Sequence, residues 1–506
     1  MNRNLTICFT SDIHGYFSAL DYATGAPAAA GLANCMAAFP KNDGNTLILD
    51  GGDTLQGSPF TYWLYSVPHG GGCVPAGIMN LAGYDFVTLG NHDFNYGKEE
   101  IQRYLRQLNA RCLCANVEGI PEVEKTAVVT LKNGLRVGLT GITSPFVNFW
   151  EKPENLAGIT VTDAFTAAKA ALETLRSEKV DVTVCLYHGG FENDVRTGEV
   201  LSRTEENQGW RICRELDFDV LLTGHQHLAL ENLCLFGTYT CQAPDKARQF
   251  LRMEISVSDT GAVRAQSRLI PAGAVADSRA AAYLKPLEEE NAAFLDTAVG
   301  HLDRDLLPEG ELDMALHGSP IANFFNQVQL EASGADLSVT SLSSGMKGLS
   351  RDVTIRDIVA SYVFPNTLKT IRVNRAVLKA ALERSCAFFH LDESGNVGVS
   401  QEFLKPIPQF FNFDFLSGAE ITADLRRDAG DRVTSIRYRG QELPEDQELT
   451  LCLNNYRASG AGGYPLYAQC PTVQEQPTEI AQLIMEYVTR HKTITVDKTN
   501  WLRVIY

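Results

Sequence analysis

No run of about 18 or more apolar residues occurs anywhere in the chain, which excludes a membrane-spanning helix. The opening residues Met1-Asn2-Arg3-Asn4 pass straight into the apolar run Leu5–Phe9, too short for the apolar region of a secretory leader. The expectation is a cytoplasmic protein, exported only if a leader once preceded Met1. The 12 cysteines form no Cys-x-x-Cys pair, and only Cys112-Leu113-Cys114 brings two close together. Unpatterned thiols fit a reducing compartment better than a disulfide framework. Cys8, Cys185 and Cys234 lie in apolar, strand-like runs and read as buried, inert thiols. Positive charge is also scarce: 44 Lys+Arg against 61 Asp+Glu leave a net charge of −17. Such a chain lacks the broad basic surface that a nucleic-acid polymer requires. A small anion is not excluded, because one or two bound divalent cations reverse the local potential.

What is present is an ordinary globular composition, 44% hydrophobic and 21% charged over 506 residues. That length suffices for two or three domains of roughly 100–200 residues each. The first half alternates strand-like runs (Leu5–Thr10, Thr46–Asp50, Phe86–Leu89, Arg136–Thr140, Val180–Tyr187, Asp219–Thr223) with amphipathic stretches such as Glu99–Leu108 and Ala164–Ser177. This predicts a layered α/β domain over residues 1–275, closed by a strand from Phe250 to Val257. The Ala-, Leu- and Glu-rich stretch within 276–300 reads as a helix interrupted by Pro286, either a connector or one more surface helix. Residues 301–506 mix strands and helices into a second α/β domain. They carry a hairpin signal at Arg437–Glu442 and aromatics at Phe410, Phe411, Phe413 and Phe415.

Five apolar runs of the first half end in residues that bind metals. The endings are Asp12-Ile13-His14, Asp50-Gly51-Gly52-Asp53, Asn91-His92-Asp93, His188-Gly189-Gly190 and His225-Gln226-His227. Open α/β sheets hold ligands beyond the carboxyl ends of their strands. Imidazole, carboxylate and amide donors suit Mn, Zn, Fe or Co. In Asp12-x-His14 and His225-x-His227 the spacing of two puts both side chains on one side, if the backbone there is extended. The adjoining glycines allow sharp turns and close approach. Any one motif would be weak; the five together predict a dinuclear site.

The set D-x-H, G-D-x-x-Q-G-S, G-N-H-D-F, H-x-G and G-H-x-H resembles that of the calcineurin-like metallophosphoesterases. The version Gly52-Asp53-Thr54-Leu55-Gln56-Gly57-Ser58-Pro59 resembles the family of 5′-nucleotidases and 2′,3′-cyclic-nucleotide phosphodiesterases. Similarity continues through Pro365-Asn366-Thr367-Leu368, Phe411-Asn412-Phe413-Asp414 and Asn454-Asn455-Tyr456-Arg457-Ala458-Ser459-Gly460. The resemblance implies a catalytic metallophosphoesterase sandwich followed by a 5′-nucleotidase-type substrate-binding domain. It implies two divalent cations, one held by Asp12, His14, His227 and a bridging Asp53, the other by Asp53, Asn91, His188 and His225. Bridging suits a carboxylate, which has two oxygens to share. Such a pair lowers the pKa of a water from 15.7 to about 7 and clamps both ends of an in-line displacement at phosphorus. His92 falls at the family's catalytic histidine, outside the metal shell.

Three residues after that histidine, 5′-nucleotidases usually carry an Asp that pairs with it; here the residue is Asn95. An amide orients the ring but cannot hold an imidazolium by charge. Gly90 to Gly97 resembles the cyclic phosphodiesterase branch instead. Ser343-Ser344-Gly345-Met346-Lys347 lacks the Arg common at that place in 5′-nucleotidases. The expectation is hydrolysis of 2′,3′-cyclic nucleotides to 3′-nucleotides, with 3′-nucleotidase activity. The alternatives are a 5′-nucleotidase or UDP-sugar hydrolase in which Asn95 is neutral drift, and an inactive nucleotide-binding protein. By resemblance Phe411 and Tyr456 sandwich the base, with Asn454, Arg457 and Asn366 in the substrate-binding set. Without it, Phe411, inside a Phe-rich run, reads as core packing. Metals in one domain and a base in the other imply a cleft, with the connector as hinge. The expected partner is a nucleotide, neither polymer nor membrane.

Overall fold

The computed structural model describes residues 3–40, 43–67, 72–151, 153–201, 205–343, 346–362, 366–404 and 409–506. The chain divides into two compact units, one formed by Met1–Asp21 with Gly25–Ala292 and the other by Tyr22–Thr24 with Ala293–Tyr506.

The first unit is built mainly on two large sheets, of seven and six strands. In the first sheet Arg3–Thr10 lies parallel to Thr46–Asp50 and antiparallel to Gln249–Val257. Phe86–Val87 then pairs with Thr46–Asp50, again parallel. In the second sheet Val182–His188 lies between Arg136–Thr143 and Val220–Thr223, parallel to both. Residues of alternate parity point to opposite faces of a strand. Leu5, Ile7 and Phe9 therefore share one core with Leu47, Leu49, Val182, Val184, Leu186, Val220 and Leu222. Cys185, Tyr187 and Leu221 face the other way, onto Ala164, Ala168, Ala171 and Leu172. Those four residues belong to the helix Ala164–Ser177, which starts where the Asp163 carboxylate accepts the Thr166 amide. The expected layered α/β sandwich is the structure found.

Two expectations change. Cys8 and Cys185 are buried, but Cys234 is exposed, because its strand Leu230–Leu235 is the edge of the second sheet. The stretch with Pro286 is one continuous helix, Ser278–Leu295. Its buried positions Ala280, Leu284, Asn291 and Leu295 form one stripe, and Pro286 falls on the exposed face. Packing of that stripe offsets the backbone hydrogen bond that proline cannot make.

In the second unit a five-stranded sheet runs in the order Asp414–Ser417, Leu337–Ser341, Leu449–Asn454, Thr367–Val373, Thr472–Glu479. A four-stranded sheet joins Gln441–Glu442, Val433–Tyr438, Ala419–Asp424 and Leu502–Ile505. Leu337, Val339, Ile371, Ile421, Ile436 and Leu451 fill a common core. Among the described residues, no helix is long and apolar enough to cross a membrane.

Candidate metal centre

Parallel strands put their carboxyl ends on one side of a sheet, and here two sheets contribute to one place. Asp53 follows Thr46–Asp50 in the first sheet, while His188 ends Val182–His188 in the second; Asp53 Oδ2 and His188 Nε2 are 3.2 Å apart. His188 Nε2 also lies 3.1 Å from Asn91 Oδ1, which lies 2.9 Å from His225 Nδ1. On the other side His14 Nε2 is 3.1 Å from His227 Nε2, and His227 Nε2 is 3.4 Å from Asp12 Oδ1. Asp53 Oδ2 is 3.8 Å from His14 Nε2. Bond lengths of 2.0–2.2 Å to one ion put neighbouring ligand atoms about 2.8–3.6 Å apart, which matches all of these spacings but the longer one between Asp53 and His14. Two groups, Asp12 with His14 and His227, and Asp12 with Asp53 and His188, could each hold an ion.

The same Asp53 oxygen, Oδ2, faces both groups. The other oxygen, Asp53 Oδ1, accepts the His92 backbone N–H at 2.7 Å. The extended backbone expected around the paired ligands is absent. Asp12, His14, Asp53, His225 and His227 all have positive φ, between 51° and 71°. Left-handed bends, rather than strand alternation, aim these side chains inward. Each costs on the order of 1–3 kcal/mol and persists only where surrounding contacts enforce it.

Those contacts are visible. His14 N donates to Asp53 O and Asp12 N to Gly52 O. His14 Nδ1 donates to Gln56 O and His188 Nδ1 to Gly51 O, leaving each Nε2 free to bind a cation. The Asp93 carboxylate accepts four backbone N–H groups, from Asp53, Thr54, Leu55 and Gly90, at 2.8–2.9 Å. It thereby ties the loop that carries Asp53 to the loop that carries Asn91. A Cβ at Gly90 would sit 2.1 Å from Asp53 Oδ1, which explains the glycine before Asn91. Ser58 donates to Gly15 O and caps the helix Pro59–Ser66, anchoring the segment that faces His14.

Charge follows from burial. Desolvation raises the Asp53 carboxyl, but the neighbouring His188 and His92 imidazoles outweigh it and hold the carboxylate well below its usual range. Burial lowers the His188 imidazole, yet Asp53 and Asp12 reverse this and raise it to about 10. Without cations the cluster therefore keeps protons that bound ions must displace.

His92 lies beside the donor set, its ring centroid 5.3 Å from that of His14, and its Nδ1 meets Asn95 Oδ1 at 2.8 Å. Sequence reading missed Asp93, Glu206 and Glu151. Glu206 receives His225 Nε2 at 3.0 Å, and Glu151 receives Asn95 Nδ2 at 2.6 Å. The acidic position of the Gly-Asn-His-Asp-Phe motif was the one available signal for Asp93. Glu206 and Glu151 had none, because they stand far from the motifs they serve.

In the second unit Phe410, Phe413 and Phe415 pack in the core, while Phe411 is only partly buried and Tyr456 is 45% exposed. Arg457, expected among the substrate-binding residues, points inward and is 1% exposed. Its Nε donates to Asp414, its Nη2 to Phe411 O and its Nη1 to Ala461 O. It thus pins the carriers of both aromatics. Asn454 is buried and its Oδ1 accepts the Arg457 amide, while Asn366 is partly buried. Pro365, Ser344 and Gly345 lie outside the described residues.

Comparison with known proteins agrees with this architecture. Residues 5–229 match the calcineurin-like phosphoesterase family, and residues 298–469 match the 5′-nucleotidase C-terminal domain. A Staphylococcus aureus protein provisionally assigned as a 5′-nucleotidase, solved in complex with alpha-ketoglutarate, is 30% identical, with full coverage of both chains and a TM-score of 0.76. A Haemophilus influenzae 2′,3′-cyclic-nucleotide 2′-phosphodiesterase/3′-nucleotidase is 23% identical over 98% of this chain and 87% of its own. The trifunctional nucleotide phosphoesterase YfkN of Bacillus subtilis is 24% identical over 98% of this chain, which spans 38% of that relative's length. The chain belongs to the 5′-nucleotidase family of calcineurin-like metallophosphoesterases, hydrolases built on a metal-binding domain followed by a 5′-nucleotidase C-terminal domain.

Proposed function

We propose that the chain hydrolyses 2′,3′-cyclic nucleotides to 3′-nucleotides and then removes the 3′-phosphate at the same site. The observation that carries this reading is the pairing of His92 with the amide Asn95 rather than a carboxylate. A cyclic diester brings one negative charge to phosphorus where a monoester dianion brings two. It asks for less compensating positive charge, and an imidazole not held charged by a directly bonded carboxylate matches that demand. The Haemophilus influenzae relative, named for the cyclic activity, supports the same choice.

Asp12, His14, His227 and Asp53 would hold one divalent cation, and Asp53, Asn91, His188 and His225 a second, drawn from Mn, Zn, Fe or Co. When bound, the ions supply Lewis acidity toward the phosphoryl oxygens. Asp53 spaces the two groups, and His92 N–H fixes its second oxygen. His92 Nε2 faces substrate: it takes up a proton from solvent and passes it to the departing ester oxygen, while Asn95 accepts the Nδ1–H and holds the ring. Phe411 and Tyr456 offer π faces for the nucleobase, worth about 1–3 kcal/mol per stacked base. Arg457 acts behind them, as their support.

A timed comparison of 2′,3′-cyclic AMP, 3′-AMP and 5′-AMP, with and without chelator, tests the reading. Cyclic AMP should be consumed first, 3′-AMP should appear and then decline, and chelator should stop both steps. Preferential turnover of 5′-AMP would replace this reading with a 5′-nucleotidase. The assignment of the 30% identical Staphylococcus aureus protein makes that the second possibility.

A further inference from the structure

Behind His92 the hydrogen-bond chain continues past Asn95. Asn95 Nδ2 donates to Glu151 Oε2 at 2.6 Å. Asn155 Nδ2 donates both to Glu151 Oε1 and to the Asn95 carbonyl, each at 2.8 Å. Glu151 is 8% exposed and closes the short helix Val147–Trp150, remote in sequence from the histidine motif. Gly97 leaves room for the arrangement: a Cβ there would stand 3.3 Å from Asn155 Oδ1.

The chemistry of this chain has a direction. An ionised carboxylate only accepts hydrogen bonds, so Asn95 must turn its NH₂ toward Glu151. Its Oδ1 must then face His92, and an amide oxygen only accepts. His92 must therefore donate from Nδ1, which leaves Nε2 as the nitrogen that meets substrate. An asparagine with no such partner could present either end to the imidazole, because its oxygen and nitrogen are nearly the same size. We propose that Glu151 is a positioning residue for His92: acting through Asn95, it sets the amide orientation and hence the ring tautomer. It does in two steps what one directly bonded carboxylate does in a histidine–aspartate pair. That Asn95 is not interchangeable with Asp follows, since an Asp would set a second carboxylate 2.6 Å from Glu151. The proposal rests on the reading of His92 as the residue that serves the leaving oxygen.

A charge-swap series on the full chain tests this, with 2′,3′-cyclic AMP as substrate. Glu151→Gln keeps shape but can offer its own NH₂ to Asn95, so direction is lost. It should lower kcat about tenfold while KM moves less than about threefold. Asn95→Asp alone should lower kcat by about a hundredfold. Asn95→Asp combined with Glu151→Gln restores one carboxylate and one amide in reversed order and should return kcat to within about threefold of the parent. Long-range ¹⁵N–¹H spectra of histidine-labelled protein, under mildly alkaline conditions, report the tautomer independently of turnover. His92 signals are those lost in His92→Ala. The parent and the double variant should show Nδ1–H alone, and Glu151→Gln a mixture. Thermal melts separate misfolding from a local effect. An unchanged tautomer in Glu151→Gln, or Asn95→Asp alone matching the double variant, would overturn the proposal. If the spectra behave as expected but His92→Ala keeps full turnover, the role of His92 fails instead and the relay stands.

Discussion

The two units treat their candidate functional residues in opposite ways. Around the metal centre the backbone is bent into left-handed conformations at five donor residues, and Asp12, Asp53 and His188 are at most 1% exposed. In the second unit the candidate binding groups are aromatic side chains left partly or largely open, and the buried charge, Arg457, lies behind them. The contrast teaches what each task demands. Binding a small multivalent cation needs several donors within about 3–4 Å, so strain and burial are accepted to converge them. Binding a flat, apolar base needs only an exposed face, and the energy goes into holding that face still.

Asp53→Asn is the most severe way to break this comparison. It halves the charge facing both donor groups, and turnover should fall on the order of 10³-fold, with metal content measured by elemental analysis falling alongside. Retention of both ions and near-normal turnover would remove Asp53 from its place between the sites. Arg457→Ala comes next. It strands the buried Asp414 carboxylate, which should cost about 3–5 kcal/mol and lower one calorimetric transition by roughly 10 °C, while the first unit's transition stays in place. Tyr456→Ala should cost less, about 1–3 kcal/mol, seen as a higher KM with little change in kcat. A falling kcat with constant KM would show that this tyrosine does something other than hold substrate.

The gentlest test sharpens the metal side. His188 keeps its proton up to about 10 when no cation is present, because Asp53 and Asp12 face it. Raised above its ordinary value, the group is protonated at neutral pH and must lose that proton to bind. Apparent metal affinity should therefore rise with pH up to that value, by about tenfold per unit for one proton released. Calorimetric titration in buffers of different ionisation enthalpy measures the proton count directly.

Much of this was legible from residue order. Each metal motif directly follows an apolar run, and the runs became the strands Arg3–Thr10, Thr46–Asp50, Val182–His188 and Val220–Thr223. The helix Ala164–Ser177 matched its predicted bounds, because Asp163 caps it and its apolar stripe is regular. Conformation at the donors was not legible, since nothing in Asp12-Ile13-His14 marks the positive φ that its tertiary hydrogen bonds impose. The same holds for Arg457: among polar neighbours it looked outward-facing, but Asp414, 43 residues away, draws it in.

By itself the sequence determined the layered α/β class, the family and the candidate donors, because these rest on local periodicity and on residue types that few chemistries share. Only the tertiary structure decided which oxygen of Asp53 faces both donor groups, that Glu151 stands behind Asn95, and that Arg457 is buried against Asp414 and the Phe411 carbonyl. Those outcomes depend on groups tens to more than a hundred residues apart arriving within 4 Å. Direction and distance of that kind come from packing, and no local pattern encodes them.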